Sequence, residues 1–207
     1  MLNNRKKTRV RIMLICLLLV FAVSSLLVLG GCSTKDKEKF WEKYGKDKAY
    51  NASNGVIRHA TKNVSYYIDP SVTGNYRTAV EHALKEANKL TNAVNISIST
   101  NPKSKFVIKV ANAGKNDWCG LNEHSFYASS GEIISSTITF NTYYANSYTQ
   151  NMLKELVLHE IGHTFGLADL YANEIKEYSV MYYQADSVYV YTTYQEFDQA
   201  NIDWYYN

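Results

Sequence analysis

Residues 159–169 read His-Glu-Ile-Gly-His-Thr-Phe-Gly-Leu-Ala-Asp, and this run restricts the chain more than any other stretch of its 207 residues. Four residues span about 1.1 helical turns, so His159 and His163 leave one helix face with their imidazoles close enough to share a metal ion. Glu160 lies about 100° around the helix, beside such an ion and not on it, which suits a general base acting on water. Gly166 can take the left-handed conformation that ends a helix and reverses the chain, letting Asp169 return as a third ligand. Glu174, Glu177 and Asp186 are the competing acids for that third place. At this chain's composition the five-residue pattern arises by chance roughly once in 160 sequences, and adding the glycine and the aspartate lowers that to on the order of one in 10⁵. Two unrelated histidines on a surface helix are thereby disfavoured.

The flanking sequence supplies the helix that the motif needs. Ser147 with Gln150 three residues on is a capping-box pattern, and Met152, Leu153, Leu156, Val157 and Ile161 give the following segment an apolar side that should end at Gly166. Upstream, residues 64–68 alternate as a strand before Asp69-Pro70, and Ala79, Val80, Ala83, Leu84, Ala87 and Leu90 stripe a helix over residues 76–94. Residues 95–100 and 106–110 read as two strands. Residues 125–130 and 133–140 read as a hairpin across Gly131-Glu132, and residues 194–206 as a closing helix. This order predicts an α+β domain that begins like an α/β unit. The remaining histidines, His59 in a tether, His82 on the first helix and His124 in a loop, are expected to be structural or solvated.

The amino-terminal third reads differently. Arg5, Lys6, Lys7, Arg9 and Arg11 precede an apolar run at residues 12–29 that ends in Leu29-Gly30-Gly31-Cys32. That is the layout of a secretion signal, and it resembles the lipobox of bacterial lipoproteins, in which the cysteine is lipidated and becomes the first residue. The resemblance implies a chain anchored through Cys32 on the outer face of a cell membrane, as in a Gram-positive bacterium. Three segments are expected: a signal peptide at 1–31, a tether with one short helix at 32–62, and a globular domain at 63–207. Removing the first 31 residues leaves 17 basic against 19 acidic groups, a net −2, which excludes the clustered cations of a nucleic-acid-binding surface. With Cys16 cleaved off and Cys32 lipidated, Cys119 should remain a single buried thiol.

The extended motif resembles that of the metzincin clan of zinc metalloproteases, with aspartate in place of the commoner third histidine, as in its snapalysin-like branch. Ser179-Val180-Met181-Tyr182 matches the clan's Met-turn twelve residues past Asp169. The resemblance implies a twisted five-stranded mixed sheet, an active-site helix, a Met-turn and a carboxy-terminal helix, in a body similar to small matrixin-like proteases. It further implies one catalytic Zn²⁺ held by His159, His163 and Asp169, Glu160 as the base, Met181 beneath the metal, and protein or peptide substrates. Tyr183 stands where some members use a tyrosine to steady the oxyanion. Substrate is expected to lie extended along the Phe126-Tyr127-Ala128 edge by strand addition. No counterpart of the matrixin cysteine switch or His-x-Asp metal loop is present. The rival reading is a noncatalytic surface binding protein that keeps a structural zinc, a role that does not require Glu160.

Overall fold

In a computed structural model of the chain, the described residues are 7–15, 38–39, 42–43, 59, 63–184 and 188–206. Cys16, Cys32 and most of the expected signal and tether lie outside them. Residues 38–39 and 42–43 are helical, in the stretch where one short tether helix is expected. Among the described residues no helix is long and apolar enough to cross a membrane.

The strands are β1 (Lys7–Ile15), β2 (Asn63–Ile68), β3 (Asn95–Ser99), β4 (Phe106–Ala111), β5 (Trp118–Tyr127) and β6 (Ile133–Asn141). The helices are α1 (Gly74–Ala87), α2 (Thr142–Ala145), α3 (Gln150–Thr164) and α4 (Glu196–Tyr206), with a 3₁₀ turn at Asn173–Ile175. One mixed sheet runs in the order β1-β5-β6-β4-β2-β3. The five strands β2 to β6 form the expected sheet, with β2 parallel to β3 and β4, β4 parallel to β6, and β5 antiparallel to β6. β1 adds a sixth along the outer side of β5, from Lys7 opposite Tyr127 to Ile15 opposite Trp118.

Local chemistry explains the elements. Val64, Tyr66 and Ile68 alternate inward along β2, and Ala79, Val80, Ala83, Leu84 and Ala87 bury one stripe of α1. α1 stops at Ala87, short of the residues 76–94 expected from periodicity. The reason is Asn88, whose amide donates to the Ile96 carbonyl at 2.8 Å while its Oδ1 accepts from the Ile96 N–H at 2.6 Å, so the chain turns directly into β3. β5 begins at Trp118, seven residues before the expected Ser125, because Asn122 and His124 occupy buried positions where an apolar residue would announce a strand. Cys119 is fully buried and disulfide-bonded, which corrects the expectation of a single thiol.

His59 and His124 are structural, and only their placement differs from expectation: His59 packs against Tyr66, Phe106 and Phe165, and His124 lies buried within β5 and not in a loop. Burial, with the nearby His124 charge adding to it, pushes His59 down to about 3, and burial pushes His124 down to about 4. In the unfolded chain both bind protons near 6.5, so between there and their folded values the unfolded state holds the extra protons. Their contribution is complete above pH 6.5 and is lost as pH falls. We expect a loss of about 2 kcal/mol per histidine between pH 7.5 and 5, taking about 1.4 kcal/mol for each tenfold difference in proton affinity. Urea denaturation at the two pH values checks this, and His124→Leu should remove about half of the pair's contribution.

Candidate metal centre

α3 carries the motif, and its start and end are both set by side-chain and backbone bonds. Thr149, not Ser147, caps it, accepting from the Met152 N–H at 3.3 Å. At the other end the Gly166 N–H reaches the His163 carbonyl at 3.1 Å and the Leu167 N–H reaches the Gly162 carbonyl at 3.2 Å. Gly166 has φ +93°, so this is a Schellman reversal that a side chain at 166 would strain. The reversal serves the site twice. It turns the Leu167 carbonyl onto His163, whose Nδ1–H donates to it at 2.8 Å, and it returns Asp169 to the helix face it left.

The three side chains converge. The His159 and His163 rings stand 4.8 Å apart at 88°, and Asp169 Oδ1 lies 3.0 Å from His159 Nε2 and 3.6 Å from His163 Nε2. One ligand atom from each residue falls within 4.8 Å of the others. His159 Nδ1–H donates to the Val180 carbonyl at 2.9 Å, so both imidazoles spend Nδ1 on backbone and present Nε2 to a common point. The competing acids are engaged elsewhere: Glu174 with Lys43 and Glu177 with the Tyr189 hydroxyl, while Asp186 lies outside the described residues.

The donor set fits a divalent cation. His163 Nε2 is buried and makes no hydrogen bond, nor does either carboxylate oxygen of Glu160. Among the protein groups alone, burial would lower His159, but the hydrogen bond and charge of Asp169 raise it to about 9. Burial would raise Asp169, and the two histidines hold it below its ordinary value instead. His163 is driven down to about 4 by burial, against the pull of Asp169. Two imidazoles and a carboxylate aimed at one point form an N/N/O donor set of the kind that holds a divalent cation. Glu160, fully buried, is raised to about 8 by burial against the opposing charge of His159, and a nearby cation would bring it back down.

The floor of the site is held from the carboxy-terminal side. The Leu170 N–H bonds the Met181 carbonyl and the Tyr183 N–H bonds the Leu170 carbonyl, both at 2.9 Å, tying the segment after Asp169 to residues 181–183. Asp198 on α4 is buried and raised to about 6 by burial, against three donors: the Ser179 hydroxyl, the Val180 N–H at 3.1 Å and the Gln195 N–H at 2.9 Å. Since Val180 is the residue whose carbonyl bonds His159, Asp198 is linked to His159 through a single residue. Sequence reasoning missed it; its position in the first turn of the closing helix was the available signal.

Gly162 was missed as well. A Cβ there would lie 2.5 Å from Met181 Sδ, so the glycine admits the buried thioether against α3. An exposed helix glycine gains about 1 kcal/mol on becoming alanine. Here the sign should reverse, and Gly162→Ala should lose about 1–3 kcal/mol through overpacking, read by urea denaturation.

A family model described as dual-action HEIGH metallo-peptidase matches residues 32–177, a span that contains His159-Glu160-Ile161-Gly162-His163 and Asp169. The chain belongs to this family. It is therefore a metallopeptidase, and the HEIGH letters are the helix segment built above. Two structures of myroilysin are similar to this HEIGH metallopeptidase. One has a TM-score of 0.47 at 12% identity, covering 72% of this chain and 95% of that one. The other has a TM-score of 0.35 at 17% identity, covering 56% and 48%. No curated protein matches the chain.

Tyr183, the expected oxyanion residue, is half-buried with its ring 4.9 Å from that of Tyr171 and 5.0 Å from that of Tyr182. Burial raises the exposed Tyr171 phenol, and the charges of Asp169 and Tyr183 add to it, so the aromatic pair stands near Asp169. A narrow cleft beside His159 is lined by Met152, Leu156, Tyr148, Val180 and Tyr189. Glu155, Lys176, Ser179, Tyr182 and Gln184 also line it.

Proposed function

We propose that this HEIGH metallopeptidase is a zinc-dependent endopeptidase that works on protein or peptide substrates at the outer face of a cell membrane. The observation that carries the reading is the convergence of His159, His163 and Asp169 within 4.8 Å beside a buried Glu160 whose oxygens bond to no protein group. Zinc bound by these three residues would supply Lewis-acid polarisation of the scissile carbonyl and of water. Glu160 takes the proton from the attacking water and returns it to the leaving amine. The Val180 and Leu167 carbonyls hold the two imidazoles in the tautomer that keeps Nε2 free to ligate. Met181 acts as the Met-turn methionine, a hydrophobic base that does not ligate, and the Tyr183 phenol, when it swings off Tyr171, steadies the developing oxyanion.

The unprocessed chain holds Lys7–Ile15 along the outer edge of β5, including Phe126 and Tyr127 where substrate is expected to add as a strand. Processing ahead of Cys32 removes β1 and opens that edge. The same processing, with lipid on the Cys32 sulfur, gives an anchored form beside the unprocessed chain. Intact mass of the membrane-extracted protein distinguishes them, the anchored form starting at Cys32 and carrying the mass of its lipid.

A mixed peptide library is the test of function. Cleavage is expected with the purified protein, should stop on adding a chelator, and should return with zinc. An absence of cleavage under all three conditions would favour the noncatalytic binding protein.

A further inference from the structure

β5 runs beneath α3, and successive residues of a strand point to opposite faces, so Gly120, Asn122 and His124 share one face. Two of them meet the same helical residue. A Cβ on Gly120 would lie 2.3 Å from Glu160 Oε1 and 2.8 Å from Glu160 Cδ and Cγ. Gly120 does not have a positive φ, so it is close approach, not backbone conformation, that calls for glycine there. Asn122 is fully buried, and its Nδ2 donates to the backbone carbonyl of Glu160 at 2.7 Å. Its Oδ1 accepts from the hydroxyl of Ser136 at 2.8 Å, and Ser136 on β6 is itself buried. The Glu160 carbonyl can only accept, and so the amide orientation is fixed: its NH₂ must face the helix and its oxygen must face Ser136.

Resting on the reading of Glu160 as the base, we propose that Gly120 and Asn122, braced by Ser136, are the positioning residues that set where the Glu160 carboxylate stands. The bond from Asn122 fixes the distance between strand and helix at the backbone of Glu160. The bare Cα of Gly120 then forms the wall against which the carboxylate rests. This arrangement locates the carboxylate without a hydrogen bond to either oxygen, both of which are buried and unpartnered. A side-chain donor holding the carboxylate would compete with the water from which Glu160 must take a proton. Contact with a glycine does not. Neither Gly120 nor Asn122 touches the reacting atoms, and both act through Glu160.

The test uses the processed chain that begins at Cys32, with zinc content and steady-state peptide hydrolysis measured on each variant. Gly120→Ala is expected to lower kcat about 100-fold, the scale of an ångström-sized misplacement of a catalytic group, with KM within about twofold and zinc retained. In a Glu160→Gln background, where there is no base to misplace, the same substitution should change residual kcat by less than about twofold. Ser136→Ala, which removes one hydroxyl and frees the Asn122 amide to rotate, should lower kcat about tenfold with the same pattern, and it keeps the test decisive where Gly120→Ala folds poorly. Wild-type kcat in both variants, an equal loss in both Glu160 backgrounds, or a loss that follows zinc would overturn the proposal. A wild-type chain that binds zinc and cleaves nothing would instead remove the reading on which it rests.

Discussion

Replacing Glu160 with glutamine is expected to lower kcat/KM for peptide hydrolysis by roughly 10²- to 10⁴-fold, the range that a positioned general base contributes. The substitution keeps the volume of a fully buried side chain and removes only its ability to take a proton. Glu160 is not among the three converging ligand residues, so zinc content should be unchanged. Stability should hold or rise, because burial penalises the charge of Glu160 and an amide carries none. Parallel measurement of kcat/KM, zinc per chain and urea midpoint checks all three statements. A variant that keeps wild-type kcat/KM would mean that another group accepts the proton.

Asp169→Ala is the second large effect, and it should fall on metal affinity. Losing an outer partner of a metal ligand costs about 10- to 100-fold in affinity, so losing a ligand itself should weaken zinc binding by more than about 100-fold. Removal also takes away the acceptor 3.0 Å from His159 Nε2 and the negative charge that raises His159. Activity at limiting zinc should vanish and return in part at high zinc. Glu174→Ala and Glu177→Ala should leave zinc binding intact, since Lys43 and Tyr189 already engage those carboxylates. Unchanged affinity in Asp169→Ala, measured by competition with a chromophoric chelator, would move the third ligand to another acid.

What could be read from the sequence was what lies close together along the chain. His159, Glu160, His163, Gly166 and Asp169 fall on one helix and the reversal after it, where geometry follows from spacing alone. β2 alternates in the ordinary way, and β3, β4 and β6 were legible as short runs rich in β-branched and aromatic residues. What could not be read depends on partners far along the chain. Gly162 has a purpose only because Met181 packs on it, and Asp198 only because Ser179 and Val180 present donors to it. The first half of β5 was hidden for a related reason. Gly120, Asn122 and His124 carry a turn-former, an amide and a titratable ring on the inward face, each buried for the sake of α3 or its surroundings, so hydrophobic alternation is absent where the strand meets the site. His59 looked like part of a polar tether, and only the aromatic wall of Tyr66, Phe106 and Phe165 shows it to be core. The helix ends were legible to within a residue or two where a glycine set them, as at Gly166, and misread where an asparagine side chain did, as at Asn88.

The central claim is that one zinc ion, held by His159, His163 and Asp169, is what makes the chain a peptidase. Zinc titration of the chelator-stripped protein, with bound metal and peptide hydrolysis measured on the same samples, tests it most directly. Activity should rise in proportion to bound zinc and reach its plateau at one ion per chain. Hydrolysis that persists without zinc, or a plateau reached with His163→Ala at the same one-to-one ratio, would contradict it.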